Sequence, residues 1–101
     1  MGKSFVHHLA EVDESAVLAG GCRVWALAQV RESAKLGKNC VVGRGAYIGF
    51  GVEVGANCKV QNGALLYEPA ILGPGVFIGP GVIFTNDQYP RSVTSKGRQK
   101  R

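Results

Sequence analysis

The sequence predicts an all-β fold, a single-stranded parallel β-helix of hexapeptide repeats with about four to five triangular coils. Three observations carry that expectation. Every sixth residue from Val6 to Phe84 is large and apolar, fourteen positions without a break. Four places after each of the first thirteen stands a smaller one, namely Ala10, Ala16, Cys22, Ala28, Ala34, Cys40, Ala46, Val52, Cys58, Ala64, Ala70, Val76 and Val82. Residues 18 apart also match, with Val6, Val24, Val42, Val60 and Ile78 in one column and Cys22, Cys40, Cys58 and Val76 in another. A period of six fits neither the turn of a helix nor the alternation of a long flat strand. Three hexapeptides closing one coil account for the 18.

The elements follow in chain order. Residues 1–5 are a lead-in, residues 6–88 the β-helix, and residues 89–101 a basic loop or tail. Within each hexapeptide the aliphatic residue points into the prism and the small residue fills the space beside it near a corner. Val6 to Phe84 makes about 4.4 coils, which at ~4.8 Å between strands gives a prism roughly 21 Å tall. Gly37, Gly43, Gly49, Gly55, Gly73 and Gly79 follow aliphatic residues, and Asn39, Asn57 and Asn62 lie near turns. Both residue types are expected to supply the unusual backbone angles of tight corners.

Composition narrows the function classes. A chain of 101 residues makes one domain, and 46% hydrophobic against 19% charged residues excludes a disordered, highly charged protein. No apolar run approaches a membrane span, and the N-terminus lacks the basic-then-apolar order of a signal peptide. A cytoplasmic protein without membrane contact is expected. The net charge of +5 sits wholly in Arg91, Lys96, Arg98, Lys100 and Arg101, while the first 90 residues hold seven bases and seven acids. A neutral body argues against nucleic acid as a partner.

Three cysteines spaced by 18 read as a buried ladder at the small-residue position. A straight stack does not converge as zinc ligands must, and a disulfide is unexpected in the cytoplasm. His7 and His8 are the two histidines, too few for a three-histidine zinc site, so no metal is expected. An ice-binding prism would show threonine ladders, and the chain has Thr85 and Thr94 alone.

The residues outside the repeat carry a resemblance. The stretches CRVWALAQV (22–30), CKVQNGALLYEPAILGPGVFIGPGVIFTND (58–87) and YPRS (89–92) resemble nucleotide-sugar N-acetyltransferases of the hexapeptide-repeat superfamily. The nearest members acetylate the 3-amino group of a UDP-linked 2-acetamido-3-amino sugar acid, or related sugars, for surface polysaccharides. The resemblance covers roughly residues 7–95. It implies a left-handed coil, a homotrimer with sites at the subunit seams, acetyl-CoA as co-substrate and a nucleotide-linked amino sugar as acceptor.

The resemblance also implies site residues. Asn86 would orient the sugar amine and Asp87 assist it; the plainer reading is that the pair simply starts a loop. Gln61 and Asn62, then Tyr67 and Glu68, interrupt the aliphatic–glycine rhythm where the family binds the sugar. Glu68 is either a sugar contact or proton acceptor, or an exposed side chain. Arg91 is either a bidentate ligand for phosphate or carboxylate, or part of the solvated tail. Trp25 stands where the family has a tryptophan at the subunit interface.

Two departures matter. Relatives read W-H-x-x-H at Trp25, whereas Ala26 and Gln29 occupy the histidine positions here. Family members also continue into further coils that hold the coenzyme, and this chain ends at SVTSKGRQKR, so the coenzyme-binding half is expected to be missing. The second functional expectation is therefore a non-catalytic remnant, a structural or sugar-binding module.

Overall fold

The structure, a computed structural model, describes residues 3–85. Fourteen two-residue strands recur every six residues, each an outward residue followed by the inward aliphatic one. They stack into three parallel sheets that form the sides of the prism. Face 1 holds β1 (Phe5–Val6), β4 (Arg23–Val24), β7 (Val41–Val42), β10 (Lys59–Val60) and β13 (Phe77–Ile78). Face 2 holds β2 (Glu11–Val12), β5 (Gln29–Val30), β8 (Tyr47–Ile48), β11 (Leu65–Leu66) and β14 (Ile83–Phe84). Face 3 holds β3 (Val17–Leu18), β6 (Lys35–Leu36), β9 (Glu53–Val54) and β12 (Ile71–Leu72). Every strand pairs with the one 18 residues away, as Val24↔Val42 and Val42↔Val60 illustrate.

The core is the expected one. From Val24 to Ile78 each sixth aliphatic residue is buried, and the small residues from Cys22 to Ala70 are wholly enclosed. The lower end is open: Val6 stays 42% exposed, because no coil lies beneath it among the described residues.

The corners correct the expectation about glycine. Left-handed φ values fall three residues after the aliphatic position, at Gly21, Leu27, Ser33, Asn39, Gly45, Gly51, Asn57, Gly63, Gly75 and Gly81. Pro69, behind a cis peptide from Glu68, breaks that series. Asn39 and Asn57 thus do the expected work, whereas Asn62 does not. Gly37, Gly43, Gly49 and Gly55, directly after the aliphatic residue, serve a different purpose. A Cβ on Gly37 would come within 2.6 Å of the Ala56 nitrogen, and one on Gly55 within 2.7 Å of the Gly73 carbonyl carbon. Such distances leave no room for a side chain. These glycines let one corner lie against the backbone of the next coil.

The cysteine column has its own repeat of hydrogen bonds. Cys22, Cys40 and Cys58 each donate Sγ–H to the carbonyl 15 residues on, at Gly37, Gly55 and Gly73, over 3.0–3.1 Å. At the foot of the column Ser4 does the same to Ala19 over 2.8 Å. All three thiols are free and buried, so each gives a corner carbonyl a weak donor partner.

Candidate functional site

The hexapeptide rhythm places the candidate residues on two different edges of the prism. Gln61 and Asn62 follow β10, at the corner between faces 1 and 2. Tyr67 and Glu68 follow β11, at the corner between faces 2 and 3. One full side of the triangle lies between them, up to about 20 Å of chain for six extended residues. The structure therefore does not bring the four together within one protomer. Asn86, Asp87 and Arg91 lie outside the described residues, as does the tail from residue 89.

The Asn62 carboxamide is already engaged. Its Oδ1 accepts the Arg44 backbone N–H over 2.9 Å, tying one coil to the next, and the residue is exposed. Gln61 is half-buried and supports its own turn, its carbonyl accepting the Ala64 N–H over 3.2 Å. Tyr67 is exposed and lies against Tyr47, ring centres 5.3 Å apart at 45°. Gly49 makes that pair possible, since a Cβ there would sit 2.9 Å from the Leu66 carbonyl oxygen and 3.2 Å from the Tyr47 ring. Thr85, the last described residue, stands one coil above Tyr67, whose N–H donates to Phe84 O over 3.0 Å. Glu68 is exposed beside it.

A second aromatic group lies on the lower part of the corner between faces 1 and 2. Trp25 packs against Phe5 at 5.3 Å, and His7 stacks on His8 at 4.5 Å. His7 Nδ1 accepts the Leu9 N–H over 3.0 Å. Leu9, Trp25 and Leu27 are all exposed there.

Charge is distributed unevenly around a body whose sum is zero. Face 1 and its two corners carry Arg23, Lys38, Arg44 and Lys59, and no acid. The opposite corner, between faces 2 and 3, carries Asp13, Glu14, Glu32 and Glu68 against the single base Arg31. Arg31 is paired with Glu32 at 3.1 Å, the one ion pair among the described residues. Hydrogen bonds from the Ser15 hydroxyl and N–H hold the Asp13 carboxyl below its usual range. A basic side and an acidic edge therefore face in opposite directions across the prism. Net charge conceals this; position within the 18-residue coil reveals it.

Among the described residues no three metal-ligating side chains gather, and no pocket is enclosed. A single protomer offers two decorated edges and a filled core. Comparison with known families matches residues 34–68 to a model described as the hexapeptide repeat of succinyl-transferase. No curated protein matches the chain.

Proposed function

We propose that this hexapeptide-repeat β-helix protein is part of an acyltransferase that moves acetyl from acetyl-CoA to the amino group of a nucleotide-linked amino sugar. The family match over residues 34–68 is the observation that carries the acyl-transfer reading. The finer choice of acceptor rests on the K-V-Q-N, Y-E and F-T-N-D-x-x-P-R elements beside it.

The chemistry asks little of the protein beyond placement. A neutral amine attacks the thioester carbonyl, the N–C bond forms, the C–S bond breaks, and the leaving thiolate takes up the proton the amine loses. Holding the two reactants in line and stabilising the oxyanion supply most of the acceleration. In this reading Asn86 orients the amine and Asp87 assists. Gln61, Asn62, Tyr67 and Glu68 contact the sugar, and Arg91 takes a phosphate or carboxylate. Because the residues on the two corners stand apart in one protomer, the site forms where copies meet, in a homotrimer. Free thiols in the core suit a reducing, cytoplasmic setting. Among the described residues no helix is long and apolar enough to cross a membrane.

A second reading has an observation in its favour. The family match stops at residues 34–68, and Ala26 and Gln29 stand at the positions where the acetyltransferases the chain resembles carry histidine, as in a sugar-binding or structural module without catalysis. One experiment separates the two: amine-dependent release of CoA thiol from acetyl-CoA, measured on the 101-residue chain and on a version carrying further coils. Release by the extended version with a UDP-linked amino sugar supports acyl transfer. Release by neither leaves the module.

A further inference from the structure

The three sides of the prism differ once their outward residues are read as columns. Face 1 presents Phe5, Arg23, Val41, Lys59 and Phe77, one above the other by strand pairing. It carries no carboxylate, and neither do the corners that flank it. With Lys3, Lys38 and Arg44 at its edges, this side holds five bases and no acid. Glu11, Asp13, Glu14, Glu32, Glu53 and Glu68 all stand on faces 2 and 3 or the corner between them, where the bases are Arg31 and Lys35. One side of the prism is therefore positive and the other negative.

The cations of face 1 have no counterpart within the subunit. Among the described residues the ion pair is that of Arg31 with Glu32 on the far corner, so no carboxylate holds Arg23 or Lys59. Both are exposed, and Phe5 and Phe77 at the two ends of the column are 46% and 63% exposed. Four coils separate the two rings, about 19 Å at the strand spacing. The edge of face 1 toward face 3 is built largely of small residues, Gly20, Gly21, Ala56 and Gly75 among them. No bulky side chain there holds the face off a flat surface. A rigid plane with cations between two exposed aromatic rings suits a lipid interface, where apolar side chains reach the acyl boundary and lysine and arginine stay at anionic headgroups. A platform for single-stranded nucleic acid instead needs aromatic rings close enough for successive bases to stack on them. Phe5 and Phe77 stand too far apart for that.

We propose that face 1 docks on an anionic lipid bilayer, the prism lying on its side with Arg23 and Lys59 on the headgroups and Phe5 and Phe77 at the acyl boundary. The division of charge fixes the orientation, because the surface that attracts face 1 repels the corner of Asp13, Glu14 and Glu68. The expectation of no membrane contact rests on the absence of long apolar runs and on summed charge. Neither records position around the coil. Docked in this way, the prism keeps Tyr67 and Glu68 turned toward solvent, open to a soluble ligand. The proposal does not depend on the acyl-transfer reading.

Flotation of the full chain with lipid vesicles at low salt tests this, using phosphatidylcholine alone and phosphatidylcholine with about 30% phosphatidylserine. The native chain should float with the anionic vesicles and not with the neutral ones. Arg23→Gln and Lys59→Gln should each weaken binding about fivefold, the loss of one cation at the surface. Phe77→Ser should weaken it about fivefold or more, because an apolar ring leaves the interface. Lys35→Gln makes the same change of charge on face 3 and should stay within about twofold. Circular dichroism confirms that each variant keeps the native fold. The double Arg23→Gln/Lys59→Gln retains the basic residues 91–101, so undiminished binding by the double would assign the attraction to that segment and overturn the proposal. Absence of binding to anionic vesicles, equal losses from Lys35→Gln and Lys59→Gln, or full binding by Phe77→Ser would also overturn it. So would binding of a single-stranded oligonucleotide in place of vesicles, lost in the same face 1 variants.

Discussion

Leu27 shows how much a single backbone angle decides. Its φ of 63° lies in the left-handed region, where a side chain with a Cβ meets the following carbonyl at a cost of about 1–2 kcal/mol. Asparagine tolerates that conformation, and Asn39 and Asn57 occupy the equivalent place two and five corners further along the chain. Leu27→Asn should therefore stabilise the isolated subunit by about 0.5–1 kcal/mol in denaturant melts at low protein concentration. A variant less stable than the native subunit contradicts the account. The thiols make a second residue-scale case. Burial raises the Cys40 pKa above its ordinary value. The unfolded chain's thiol then ionises first as pH climbs, so stability present below the ordinary thiol range is lost as pH rises through it. The loss levels off above the raised value of the folded state. Alkaline melts should show that fall, and Cys40→Ala should flatten it.

Corners limit these elements more than strands do. Each strand is two residues long and owes its place to one buried aliphatic side chain, whereas each corner must let the next coil approach. Gly55→Ala would press a Cβ to within 2.7 Å of the Gly73 carbonyl carbon and the Pro74 nitrogen, backbone atoms that cannot turn aside. Overpacking of that kind costs about 1–3 kcal/mol. At Gly73 nothing lies within 4 Å of the same Cβ, so Gly73→Ala should stay within about 0.5 kcal/mol. Equal losses from the two would mean that close approach is not what the glycine supplies. Here the limits of reading from sequence become physical. The aliphatic period was legible because one buried residue per hexapeptide leaves a mark that nothing else makes. The purpose of Gly37 and Gly55 was not legible, since a glycine required for space and one required for angle look alike until the next coil is in place. Tyr47 beside Tyr67 was hidden for the same reason: they are 20 residues apart in sequence and meet through stacking.

For the whole molecule, the 18-residue register carries everything else. It sets Gln61 and Tyr67 on separate corners and turns a neutral sum into a basic side and an acidic edge. The charge sum alone suggested an indifferent surface, because only angular position around the prism tells the two sides apart. Candidate residues Asn86, Asp87 and Arg91 were legible through resemblance and fall outside the described residues, so chemistry must test them. The register has a direct consequence for distance. Phe5 and Phe77, 72 residues apart, stand in one column of face 1, joined through Arg23, Val41 and Lys59 by successive pairings. Spin labels on cysteines placed at Phe5 and Phe77, in labelled chain diluted with an excess of unlabelled chain, report distances within one copy, and the native thiols are buried. Four coils at ~4.8 Å predict a narrow distance distribution centred near 19 Å. A broad distribution, or one centred beyond about 30 Å, would contradict the stacking from which the placement of the candidate site is derived.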